Sequence, residues 1–110
     1  MRLLPSLREK QRYVVCGVES ATPVSFADTA HAVQEALASF IGLLGMARAG
    51  VQILPERWDQ NRQRFVVRVD HRSIDELKAA LLLIKKIKNT SVIVQSVLVT
   101  GTLKKITPTK

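Results

Sequence analysis

Apolar and charged positions alternate most sharply in "RQRFVVRV", residues 62–69. Successive side chains of a strand point to opposite faces, so Phe65, Val67 and Val69 share one face while Arg62, Arg64, Val66 and Arg68 share the other. The pattern predicts a half-buried strand with a cationic outer face. Upstream, "RYVVCGV" (12–18) is rich in β-branched residues and predicts a buried strand, apolar on both faces, which leaves the parity of Tyr13 open. Between the two strands, Phe26, Ala30, Val33, Leu37, Phe40, Ile41 and Leu44 recur at three-four spacing and predict a helix with one inward stripe. Ser25 can cap its first turn, with Asp28 three positions on, and Gly45 is its expected stop, Gly42 weakening the end. "GVQIL" (50–54) predicts a short strand and "PERWDQN" (55–61) a polar turn containing Trp58, which is either a hydrophobic plug or a stacking ring.

After the arginine strand, Ser73 and Glu76 form an S-x-x-E capping box that opens a second helix. Ile74, Leu77, Leu81 and Ile84 make its inward stripe, and Leu82 and Leu83 lie off it. "SVIVQSVLVT" (91–100) predicts the last strand. Residues 1–11 read as a basic arm and 102–110 as a basic tail of a single domain spanning 1–110. The element order βαββαβ is that of an α/β plait, a ferredoxin- or RRM-like sandwich: a four-stranded antiparallel sheet with two helices on one face. The first and third strands are central in that topology, which sets the arginines in the middle of the uncovered face.

Charge sharpens this picture. Seventeen Lys and Arg against nine Asp and Glu give a net charge of +8 and a pI near 10.3 in a chain that is 46% hydrophobic. A globular chain this basic points to nucleic acid before an anionic membrane. The longest apolar run, "AALLLI" (79–84), is far short of the ~20 residues of a membrane helix. "MRLLPSLREK" lacks the apolar region of a secretory signal. The single cysteine, Cys16, rules out a disulfide framework and fits a reducing compartment, so a soluble cytoplasmic protein is expected.

Catalytic chemistry is poorly represented. His31 and His71 have no carboxylate or cysteine at metal-site spacing and read as surface or capping residues. Asp75 and Glu76 are neighbours on a helix, about 100° apart, and make a capping turn and not an acid–base pair. Cys16 among valines is a small core residue, and no glycine-rich phosphate loop is present. The cationic positions instead form clusters: Arg2, Arg8, Lys10 and Arg12 in the arm; Arg62, Arg64 and Arg68 on the strand; Lys85, Lys86 and Lys88 at the helix end; Lys104, Lys105 and Lys110 in the tail. Together they favour an RNA or DNA backbone over a merely solvated face. RNA-recognition motifs carry K/R-G-F/Y-G/A-F-V-x-F/Y in the third strand. "RQRFVVRV" keeps one aromatic and neither glycine, so phosphate contact by arginine is the expected mechanism, not base stacking.

The segments "LREKQRYVV", "EALASFIGLLGMARAGVQIL", "RFVVRVDHRSIDELKAALLLI" and "VLVTGTLKK", in this order and spacing over residues 3–106, resemble the archaeal-type protein component 2 family of ribonuclease P, whose eukaryotic relatives also serve RNase MRP. The resemblance implies an RRM-like subunit without the base-stacking signature, in a ribonucleoprotein whose RNA removes the 5′ leader of precursor tRNA. It implies no catalytic residue and no cofactor on this chain, the RNA itself needing Mg2+. It also implies a TIM-barrel-like component 3 partner, other protein subunits of the particle, and two component 2/component 3 pairs that can join into a heterotetramer. The RNA contacts expected are Arg8, Lys10, Arg12, Arg62, Arg64, Arg68, Lys104 and Lys105, with Leu82 and Leu83 either a partner contact or core.

Two other classes compete. A regulatory, amino-acid-sensing plait that dimerises through its sheet calls for a neutral or acidic surface, which +8 opposes. A plait-fold acyl-phosphate hydrolase calls for an arginine in a tight loop after the first strand, and "ESATPVS" has none.

Overall fold

The β-branched run and the arginine strand pair antiparallel, as their patterns require. A computed structural model describes residues 11–101; the expectations for Arg8, Lys10, Lys104 and Lys105 fall outside that range. The elements are β1 (Gln11–Ser20), α1 (Phe26–Ala49), β2 (Gln52–Asp59), β3 (Arg64–Asp70), a 3-10 turn at His71–Ser73, α2 (Ile74–Leu82), β4 (Lys86–Ile87) and β5 (Thr90–Thr100). The strands form one sheet in the order β2-β3-β1-β5-β4. The plait stands, with β1 and β3 inside it, and a fifth strand is added: Lys86–Ile87 folds back on Ser91 and Thr90. The reversal runs through Lys88 and Asn89, both at positive φ (50° and 67°). Lys85, Lys86 and Lys88 are therefore not a helix end but the approach to a hairpin.

Both helices cover one face. Val14, Cys16 and Val18 of β1, Phe65, Val67 and Val69 of β3, and Val92 and Val94 of β5 meet Val33 and Leu37 of α1 and Leu77, Ala80 and Leu81 of α2. Phe65, at 0% exposure, is the largest side chain of this core; emptying such a site costs about 3–5 kcal/mol.

Helix α1 starts as its sequence directs, Ser25 Oγ accepting from Asp28 N at 3.2 Å. It does not stop at Gly45. It runs on to Ala49 and closes at Gly50, whose φ of 61° and ψ of 40° are left-handed. The break lies earlier, at Gly42, with φ 77° and ψ 167° inside the helix. This break rotates the helical phase beyond it, so Leu44 of the expected inward stripe is turned out at 73% exposure; Phe40, before the break, is 46% exposed as well. By length and composition α1 is also apolar enough to cross a membrane; in this fold its Val33 and Leu37 lie in the sheet core.

Helix α2 departs from expectation at its start. Ser73 makes no side-chain cap bond, and the chain enters through the 3-10 turn instead. Strand β2 reaches Asp59, with Pro55 inside it and an irregular register between Leu54 and Asp59. An edge strand tolerates that proline because one row of its backbone groups has no partner strand. Arg62 lies in the turn before β3, not on the strand.

Candidate nucleic-acid interface

Register decides which side chains share the face away from the helices. On β3, Phe65, Val67 and Val69 are core, so Arg64, Val66 and Arg68 face outward. Their partners on β1 are Gly17, Val15 and Tyr13. The parity of Tyr13 is thereby settled: it stands on the open face beside Arg68. Arg12, opposite Val69, takes the other parity and belongs with the helix side at the strand's start, its Nη1 donating to Gln11 O at 3.1 Å. Of the expected contacts, Arg64 and Arg68 share the open face, Arg62 joins Arg64 at its far end, and Arg12 is separated from them.

The two strand arginines sit differently. Arg68 is half-buried and donates through Nη2 to Gln52 Oε1, its register partner on β2. Neither Arg68 Nε nor Asp70 Oδ1 has a hydrogen-bond partner among the described residues. Asp70, 3% exposed, accepts from Arg72 Nε at 3.0 Å and lies 3.2 Å from His71 Nδ1. Burial acts to raise its pKa, but the hydrogen bond and charge of Arg72, reinforced by the charge of His71, outweigh this and hold the carboxyl below its ordinary value. Arg64 lies four residues away at the opposite end of β3, where Gly17, Glu19, Arg62, Gln95 and Val97 surround a pocket with it.

That end is set by a residue the pattern analysis passed over. Gln63 is buried at φ 56°. Its Oε1 accepts from Val24 N at 2.7 Å, and its Nε2 donates to Val24 O at 3.1 Å and Gln60 O at 2.9 Å. Its own carbonyl accepts from Val18 N at 2.9 Å. Gln63 thus ties the turn before β3 to the loop before α1 through its side-chain amide and to β1 through its main-chain carbonyl, fixing where Arg62 and Arg64 emerge.

A bulge shapes the other side of the face. Val15 pairs with Leu98 and Cys16 with Ser96, so Val97 is an extra residue on β5. Val97 and Leu98 are 50% and 45% exposed. With Val15 and Val66 they give the face an apolar middle between two arginine-bearing ends. Trp58 is on β2, not in a turn, and packs on Phe26 at a centroid distance of 5.7 Å, with Nε1 donating to Gln60 Oε1. It therefore serves as a plug at the start of α1.

Leu82 and Leu83 are exposed, at 57% and 55%, and are not core. Phe40, Ile41 and Arg48 flank Ser73 and Glu76, so the helices run antiparallel and the leucines lie far from the Gly42 break. Cys16 is buried and burial pushes its thiol pKa up, which makes it inert. His31 pairs with Glu35 on the surface of α1, and no group of three His, Cys, Asp or Glu among the described residues can hold a metal ion.

Comparison with known proteins agrees with this architecture. Ribonuclease P protein component 2 of Thermococcus kodakarensis is 36% identical over 104 residues, covering 94% of this chain and 85% of that one. The component 2 protein of Thermococcus gammatolerans is 35% identical over the same shares, and that of Pyrococcus furiosus 27%. Among solved structures, a chain of yeast ribonuclease MRP superposes with a TM-score of 0.70 at 14% identity, covering 94% of this chain and 82% of that one; at that identity the match speaks for the fold. The Rpp14/Pop5 family model matches residues 12–109, and the chain belongs to this family of ribonuclease P and MRP protein subunits.

Proposed function

We infer that this chain is a non-catalytic subunit of ribonuclease P that binds the catalytic domain of the RNA and, with a component 3 protein and the other subunits, supports removal of the 5′ leader from precursor tRNA in the cytoplasm. The observation that carries the reading is the open sheet face, where Tyr13, Arg64 and Arg68 share one side of two central strands. Guanidinium groups at fixed spacing on a rigid sheet offer forked donors to phosphate oxygens. By neutralising phosphates where RNA strands crowd, they lower the Mg2+ that the RNA requires. Leu82 and Leu83, two exposed leucines at the end of α2, supply the component 3 contact, and two such pairs join into a heterotetramer. The chain itself contributes no reacting group and holds no cofactor.

The test is precursor-tRNA cleavage by the cognate RNA at low Mg2+ with component 3 present, comparing wild type with Arg64→Ala/Arg68→Ala. Rescue by wild type and poor rescue by a folded, partner-bound double mutant is the expected result. Equal rescue would move the RNA contact off this face, and no rescue by wild type would remove the ribonuclease P role. A sheet-dimerising amino-acid sensor would instead show ligand-induced dimers and no RNA affinity, and the family assignment does not favour it.

A further inference from the structure

The far end of the open face holds a pocket that phosphate neutralisation alone leaves without a purpose. We propose that it takes one unpaired guanine nucleotide of an RNA strand; the proposal rests on the RNA-binding reading above and adds a base preference to it. The pocket has a volume of about 300 Å³ and is bounded by Gly17, Glu19, Arg62, Arg64, Gln95 and Val97, the lower end of the size range for small-ligand sites.

Its construction is specific in three respects. Gly17 forms the floor, and a Cβ there would lie 3.3 Å from Val97 Cγ2, so any larger residue fills the space a planar ring needs. Val97, the extra residue of the β5 bulge, supplies an apolar wall. Glu19 is an exposed carboxylate at the rim of a face otherwise marked by arginines. On a surface that only gathered phosphates this charge would repel its own ligand. A carboxylate accepts hydrogen bonds and donates none, so it suits a base edge with donors side by side. Guanine presents N1–H and the N2 amino group together on its Watson–Crick edge, whereas adenine, cytosine and uracil each present one donor group there. Gln95 adds an amide that can donate to the guanine carbonyl. Arg62 and Arg64 place guanidinium groups where the attached phosphate or the base plane lies. Reading that edge requires the base to be unstacked and unpaired, which confines the site to a loop, bulge or end of the RNA.

The experiment uses the full chain and labelled six-nucleotide RNAs: all-uridine, and the same strand with one central guanosine or one central adenosine, titrated at a single low salt concentration. The expected result is binding of the guanosine strand about tenfold tighter than either other strand, the discrimination one good bidentate base contact supplies. Glu19→Gln removes most of this preference while the all-uridine strand binds as well or slightly better, because a negative charge has left the face. Gly17→Leu removes the preference by filling the pocket, with thermal melting confirming the fold. Equal binding of the three strands by wild type overturns the guanine site yet leaves the phosphate reading intact if affinity falls steeply with salt. Tighter binding of all three strands by Glu19→Gln, in parallel, also overturns it. If neither the oligomers nor the catalytic RNA binds, the RNA-binding reading falls with it.

Discussion

Gln63 shows how much one side chain can decide. Two of its three side-chain hydrogen bonds join segments 39 residues apart and the third closes its own turn at Gln60, in a position with almost no solvent to replace them. Gln63→Ala removes the partner of the Val24 N–H and of the Gln60 carbonyl and leaves Val24 O with Gln60 Nε2 alone, and a loss of about 1–3 kcal/mol is expected in urea unfolding. Gln63→Glu is expected to be worse, since a carboxylate would face the carbonyls of Val24 and Gln60. Asp70 makes a complementary point about charge. Its folded pKa lies below the unfolded value of about 3.9, so the stability it contributes is fully present above that value and is lost as pH falls through the folded one. Asp70→Asn is therefore expected to melt below wild type near neutrality, with the gap narrowing as pH falls below the ordinary carboxylate range, as thermal melts across an acid pH series would show. Neither residue was legible in the sequence: Gln63 shares the parity of Phe65, Val67 and Val69 but its partner Val24 lies 39 positions away, and the burial of Asp70 depends on its neighbours in space.

Among the elements, β3 was readable because its period of two is clean, and β1 because its β-branched content is high. The first half of α1 was readable from its three-four spacing, down to its serine cap. What failed were the places where backbone conformation overrode pattern. Gly42 holds φ 77° and ψ 167°, a region closed to L side chains, whereas Gly50 is in the ordinary left-handed well that asparagine tolerates. A Cβ meets nothing within 4 Å at either position, so the comparison isolates the backbone. Gly42→Asn is expected to cost about 1–3 kcal/mol and Gly50→Asn clearly less, measured by denaturant midpoint. The β4 hairpin escaped notice because a two-residue strand has no period to detect, and the signal in Lys88–Asn89 was weak without a glycine. At the end of α2, Leu82→Glu/Leu83→Glu is expected to keep the melting temperature within a few degrees and to weaken co-purification with component 3.

At the scale of the whole molecule, the RNA binding proposed above by a chain of net charge +8 is expected to weaken with salt, and the slope of log K against log salt counts the contacts. Each phosphate contact contributes about 0.7 to 0.9 to that slope. Arg64→Ala is expected to reduce it by about that amount, whereas Arg12→Ala, on the opposite face, is expected to leave the sheet-face contribution unchanged. Filter binding across a salt series measures both. The candidate site was half legible at this scale. Alternation alone gave Arg64 and Arg68 a common face, but Gly17, Glu19 and Gln95 joined them only through strand order and register, and Val97 only through a bulge.

The sheet's two margins carry one more consequence. On one side β2 is interrupted by Pro55 and an irregular register, and on the other β5 is shielded at its start by the two-residue β4, flanked by Lys85 and Lys88. Proline, lysine and shortness are the devices that keep a sheet from recruiting a further strand from another chain. That protection is local: β4 pairs with only Thr90 and Ser91, and the stretch 93–100 of β5 has no partner strand on that side among the described residues. Strand addition is therefore discouraged at β2 and at the start of β5, while the far half of β5 still offers backbone groups to a further strand.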